Sequence, residues 1–310
     1  DYLLPSIKSP VDYYRRQTDS GRYYFEWLPD DTVRSFISVT NLASQLIPMG
    51  YEYYAWLMKL GTRAEIVRDK AATFGSAFHS EAMKPFRDRT NSYDFDELGQ
   101  IGEDGLTGMQ RILHQEYRIY AEEWLYAFKK NLVCWFQAVS ERIERVVAIE
   151  LTVGDPEIGV ASTIDMVADY WFNRKSRLAI IDLKSLLFDP EEKLGVKKSF
   201  YKAHEFQLET GKYIWNNTPY YRDNIGEIEH IFNFAPINFR KAPVVERMFK
   251  NQTKNTFSKR EDGTYPLLTY FQLAKELGVS SAPTRILDIV GKFDSIKDFN
   301  YENHCQELQI

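Results

Sequence analysis

The stretch that most constrains this chain runs from Arg145 to Ser185. It holds three β-prone apolar runs, RVVAIELTV (145–153), GVASTIDMVADYWF (159–172) and RLAIIDLKS (177–185), divided by the turn signals GDPEIG and NRKS. Connections this short cannot carry a crossover helix, so the runs predict an antiparallel meander. Around it, 51–84 and 106–132 read as helical, with a break near Gly61. A further helix is predicted over 202–216 and a further strand over 227–237. Residues 1–50, rich in Tyr, Phe and Pro, carry no clear period. Helices, then a hairpin sheet, then a helix and a strand predict an α/β or α+β layout with a mixed sheet flanked by helices.

Alternation along a strand decides which side chains meet. Leu178, Ile180, Asp182 and Lys184 share one face of the third run, and Thr163, Asp165, Val167 and Asp169 share one face of the second. In the first run, Ala148, Glu150 and Thr152 lie opposite the apolar set Val147, Ile149, Leu151 and Val153. Sequential pairing would therefore gather Glu150, Asp165 and Asp182, with Lys184 beside them. Carboxylates so close repel unless a proton or a cation intervenes. Lys184 supplies one charge, and a divalent ion would supply two more. All-oxygen ligation suits Mg²⁺ or Mn²⁺ rather than zinc, and a lysine beside a metal-bound water can orient that nucleophile or stabilise charge on a phosphate. The plainer alternative is a set of strand-edge polar residues in which Asp182 and Lys184 form an exposed ion pair.

Composition narrows the setting. Two cysteines in 310 residues, Cys134 and Cys305, lie too far apart for a CxxC site and are too few for an iron–sulfur cluster. A reducing, intracellular, cytoplasmic location is the expectation. The opening DYLLPSIKSP lacks the pattern of a secretory signal, and no run is apolar enough to span a membrane. No GxxxxGK[ST] loop is present, so no nucleotide-driven motor is expected. The net charge of −5 does not favour nucleic acid, but positive charge is concentrated locally. Arg240, Lys241, Arg247, Lys250, Lys254, Lys259 and Arg260 face a single acid, Glu246, between them, and Lys193, Lys197, Lys198 and Lys202 form a second cluster. Each is either a solvated surface or a track for phosphates. Tyr13, Tyr14, Tyr23, Tyr24 and Phe25 are either core residues or platforms for unpaired bases.

The ordered set of Glu150, Asp165 in STIDMVAD and Asp182-x-Lys184 in IIDLK resembles the PD-(D/E)XK nuclease superfamily. Its RecB-like branch, with phage, Cas4 and mitochondrial genome-maintenance exonucleases, is the nearest likeness. That branch carries a histidine on an upstream helix, after a Gly and a small residue; AATFGSAFHSEAM supplies Gly75 and His79. The segments FISVTNLASQLIP and YAWLMKLGTRAEIVRDKAATFG are also similar to the phage and mitochondrial members. Downstream the branch has a Gln and, four residues on, a Tyr; HEFQLETGKY supplies Gln207, but Gly211 stands at the second position and Tyr213 lies two further on. The resemblance covers about residues 36 to 216.

It implies a restriction-endonuclease-like α/β fold with a helical N-terminal portion. One nuclease domain would span 1–310: an elaboration over 1–60, a core over 61–237, and a basic loop with a C-terminal helical elaboration over 238–310. It also implies a Mg²⁺- or Mn²⁺-dependent deoxyribonuclease acting on single-stranded DNA or duplex ends beside replication or recombination proteins; an iron–sulfur cluster, which several members of the branch carry, is not expected with two cysteines. His79, Asp165, Asp182 and the Leu183 carbonyl would hold the metal, Glu150 would be an outer ligand or bind a second ion, and Lys184 would orient water. Gln207 would brace Lys184 or contact phosphate, and His204, on the same helical face, is the runner-up histidine. Arg68, Lys197, Lys198, Arg240, Lys241, Lys250 and Lys254 are the expected nucleic-acid contacts.

From the residues themselves, Val67, Ala71, Phe74 and Phe78 form an apolar stripe at helical spacing. His79 falls on the neighbouring stripe with Arg68, Ala72 and Gly75, where small side chains let the helix approach another element closely.

Overall fold

The computed structural model describes residues 7, 9–18, 21–30, 32–46, 51–88, 90, 93–120, 122–139, 142–172, 174–185, 202–235 and 245–248. The predicted meander is β4 (Ile143–Asp155), β5 (Val160–Phe172) and β6 (Lys175–Leu183), antiparallel throughout. The chain then forms α7 (Lys202–Asn217), a short α8 (Pro219–Asn224), β7 (His230–Ala235) and β8 (Val245–Met248). β7 lies parallel to β6 and antiparallel to β8.

The N-terminal portion is not purely helical. It opens with three antiparallel strands, β1 (Tyr13–Thr18), β2 (Gly21–Trp27) and β3 (Val33–Ser38), and only then turns helical. RYYFEW lacks clean alternation because Tyr23, Tyr24, Phe25 and Glu26 are all buried, and covering on both faces erases the period-two signal. β3 joins β5 in parallel, completing a mixed eight-stranded sheet. Its order is β1-β2-β3-β5-β6-β7-β8, with β4 paired to the other edge of β5.

Next come α1 (Val39–Leu46), α2 (Tyr51–Leu60) and α3 (Arg63–Arg87). The break at Gly61 is present, and its φ of +54° is the left-handed value that glycine accepts most easily at a helix end. The helix predicted over 106–132 is interrupted. After α4 (Phe95–Gly99), the capping box of Thr107 and Gln110 starts α5 (Gly108–Gln110), which passes into a π-helical turn, Arg111–Glu116. Arg118 then takes φ +55°, and a separate α6 spans Glu122–Val139.

The sheet is covered on both sides. Phe74, Phe78 and Met83 of α3 and Phe128, Leu132 and Trp135 of α6 pack against Met166, Ala168, Tyr170, Ala179, Ile181 and Phe232. Leu208, Ile214 and Trp215 of α7 pack against Val147, Leu151, Val167, Ile180 and Ile231. The expected single apolar face of β4 is not kept. Register shifts by Val146/Ala148 put Val147 and Ala148 in the α7 layer, while Ile149 packs in the α3 layer. Among the described residues, no helix is long and apolar enough to cross a membrane.

Candidate functional site

β5 changes neighbour partway along one edge. β3 pairs with Val160 and Ala161, whereas β6 pairs only from Met166 onward. Residues 162–165 fall in the fork between them, and Asp165 sits at its apex. Where the ladder stops, the Asp165 carboxylate accepts the backbone N–H of Leu183 at 3.0 Å. One side chain thereby ties the end of β6, with its D-x-K, to β5.

Four further groups converge there. Asp182, 1% exposed, is clasped by Lys184, which donates to Oδ1 at 3.0 Å. Nζ is 2.8 Å from Oδ2 but off the hydrogen-bond direction, so this contact is one of charge alone and the buried oxygen has no hydrogen-bond partner. His79 of α3 brings Nε2 to 3.0 Å from Asp165 and Nδ1 to 3.6 Å from Glu150. Glu150 falls between the pairs Ile149↔Met166 and Leu151↔Ile164, across from Asp165, and takes φ +49°. A left-handed, non-glycine residue within a strand is strained, and strain of this kind collects at functional sites. Arg87, two turns beyond His79 on α3, reaches Glu150 at 3.8 Å.

Gly75 explains how α3 comes so close. A Cβ there would stand 3.2 Å from Oγ of Ser185, the residue after Lys184. His79 follows one turn later and is carried against the same strand end.

The electrostatics divide the carboxylates. Burial would raise Asp165, but the hydrogen bond and charge of His79, then Lys184 and the Leu183 N–H, hold it below the ordinary carboxylate value. Asp182 is pushed up, by burial first and by the Asp165 charge against the opposing pull of Lys184. Burial would lower His79, yet Asp165 and Glu150 push it up to about 10. Lys184 is raised despite burial, by Asp182 and Asp165. His204 on α7 falls to about 4, through burial and then the Lys184 charge, which puts α7 beside the lysine.

Glu150, Asp165, Asp182, Lys184 and His79 are thus brought together, and Asp182–Lys184 is not an exposed pair. No three His, Cys, Asp or Glu side chains among the described residues already stand as a metal-holding group. The donors nonetheless fit a hard cation: the carboxylates of Asp165 and Asp182, the latter with a buried oxygen that accepts no hydrogen bond, a third carboxylate from Glu150, and an imidazole. For His79 to join them it must first release its proton.

Gln207 is half-buried on α7, one turn beyond His204. A side chain at Gly211 would meet Ile164 at 3.3 Å, so the helix lies flush on the sheet at the position where the resemblance led to an expected Tyr, and Tyr213, partly buried, packs against the core. Arg68 is engaged by Glu65 at 3.6 Å and Asp69 at 3.7 Å, roughly 16 Å along α3 from His79. Lys197, Lys198, Arg240, Lys241, Lys250, Lys254 and Cys305 lie outside the described residues. Tyr23, Tyr24 and Phe25 are core residues rather than base platforms, with Tyr24 hydrogen-bonded to Thr163 at 2.9 Å in the fork. Tyr14 is exposed.

Sequence reading missed Arg87, Asn233 and Arg22, whose positive charge acts on Lys184 from β2. The one sequence signal was Asn233, a lone amide in the apolar run IFNFA. No protein-family model matches the chain, and no curated protein matches it.

Proposed function

We propose that this chain is a Mg²⁺- or Mn²⁺-dependent deoxyribonuclease of the PD-(D/E)XK superfamily, RecB-like branch, and specifically an exonuclease of DNA replication, recombination or processing in an intracellular, cytoplasmic setting. The observation that carries this reading is the fork: Asp165 bonded to the N–H of Leu183, with the buried Asp182–Lys184 pair and His79 gathered around it.

Asp165, Asp182, His79 and the Leu183 carbonyl would hold the cation, with Glu150 as an outer or second-ion ligand. When bound, such an ion activates water and neutralises charge on the scissile phosphate. The chain's own groups do the rest. Asp165, ionised at neutral pH, fixes the end of β6. Lys184 presents its ammonium at the fork, where it can orient a water or meet charge building on a phosphate oxygen. Gln207 is available from α7 to contact phosphate. The basic segments around Lys197 and Arg240–Lys254 would carry the DNA backbone by counterion release.

A silent nucleic-acid-binding module is the second reading, favoured by the closed His79–Asp165 and Asp182–Lys184 contacts, which satisfy these charges without a metal. A structure-specific endonuclease would use the same groups. End-labelled single- and double-stranded DNA and a closed circle, each incubated with Mg²⁺, Mn²⁺ or EDTA, separate the three. The exonuclease degrades only DNA with ends and stops with EDTA. Cutting of the circle supports the endonuclease, and binding without cleavage supports the silent module.

A further inference from the structure

Asn233 is an anomaly in β7. It is fully buried, and neither its Nδ2 nor its Oδ1 has a hydrogen-bond partner. Asn is a poor strand former, and a buried amide left unpaired costs free energy that an apolar residue would avoid. Its position is informative. β6 and β7 run parallel with Ile180↔Ile231 and Asp182↔Asn233 in register, and both isoleucines pack in the α7 layer. Asn233 therefore stands beside Asp182 on the same face, one strand spacing away, about 4.8 Å. Lys184 lies two residues on from Asp182, and its ammonium is already folded back onto that carboxylate.

Resting on the nuclease reading above, we infer that Asn233 is the second seat of the Lys184 ammonium: its Oδ1 accepts from Lys184 once a divalent cation has taken Asp182. A cation on Asp182 draws away the charge that now holds the lysine, and an ammonium with no acceptor would turn away from the fork. A neutral amide suits the position. A carboxylate there would add repulsion and compete for the cation, and an apolar side chain would offer no acceptor. Asn233 acts through Lys184 and is thus a positioning residue.

Asn233→Val and Asn233→Thr test this as a pair, because they share a shape that suits a strand and differ by a methyl for a hydroxyl acceptor. With Mg²⁺ and end-labelled DNA, Asn233→Val should lower kcat about tenfold with KM unchanged, and Asn233→Thr should recover a good part of the loss. Without cation, Asn233→Val should melt at or above the wild-type temperature, since it removes an unpaired amide; a merely structural asparagine would show the reverse. In wild-type protein labelled on asparagine, Mg²⁺ alone should shift the Asn233 side-chain amide resonance. Equal kcat in Asn233→Val, no recovery in Asn233→Thr, or an amide resonance unmoved by Mg²⁺ overturns the inference, and the last holds even if neither variant folds. Lys184→Ala cleaving at the wild-type rate would instead remove the underlying reading. An inactive Lys184→Ala beside an unaffected Asn233→Val removes this inference alone.

Discussion

At the scale of single residues, Asp165 and Asp182 are one residue type with opposite roles. Asp165 is held low by His79, so its charge stabilises the fold above the unfolded carboxylate pKa and is lost as pH falls through the depressed value. Asp182 is pushed up, so carrying its charge at neutral pH costs stability. Without cation, Asp165→Asn should therefore lower the melting temperature and Asp182→Asn should raise it, at about 2–4 °C per kcal/mol for a chain of this size. Both should weaken Mn²⁺ binding at least tenfold by calorimetry, an amide being a poorer ligand for a hard cation. Melting shifts of the same sign would contradict the division of roles. Asp182 and Lys184 were legible in sequence because alternation places i and i+2 together; at Glu150 and Asp165 it fails, since Ile149 and Met166 pack in the α3 layer and Leu151 and Ile164 in the α7 layer. The partition of their charges was not, because it depends on His79, more than 80 residues upstream.

At the scale of elements, α3 and α7 close on the strand ends from two sides. Gly75 sets the approach of α3. Gly75→Ala should change stability little, its helix-propensity gain of about 1 kcal/mol being offset by displacing Ser185. Gly75→Val must push Ser185 and the neighbouring Lys184 aside, and should cut kcat tenfold or more by misplacing the lysine; a wild-type rate in that variant would show that the contact is incidental. On α7, His204 has a folded pKa of about 4 against about 6.5 unfolded. The group is depressed, so its contribution is present above pH 6.5 and is lost as pH falls toward 4. It amounts to at most about 3 kcal/mol. His204→Phe should flatten the acid limb of urea midpoint against pH, and an unchanged limb would place the acid sensitivity elsewhere. The strands of the meander were legible as β-prone apolar runs divided by short turn signals, although β4 and β6 keep no single period over their length. The helix predicted over 106–132 was not, because its apolar positions continue across the π-helical turn and Arg118, where the backbone does not.

At the scale of the whole molecule, the sheet makes the site by changing partners. β3 and β6 share one edge of β5, and the charged groups fill the gap where neither pairs. The sequence order of the strands shows the β5–β6 hairpin but not β3, whose pairing is parallel, distant along the chain and set by buried aromatics rather than by alternation. The fork was therefore unreadable from sequence, although the residues that fill it were not. Lys184 is the group that separates a working centre from a satisfied ion network, since it is no cation ligand and its removal spares the donors. The most direct measurement is single-turnover cleavage of end-labelled DNA in Mg²⁺ and in EDTA, by wild type and by Lys184→Ala with its fold checked by circular dichroism. Wild type should cleave only with the cation, and Lys184→Ala should lose about 100-fold or more of that rate. No cleavage by wild type with either Mg²⁺ or Mn²⁺, or an equal rate in the folded variant, would contradict this expectation.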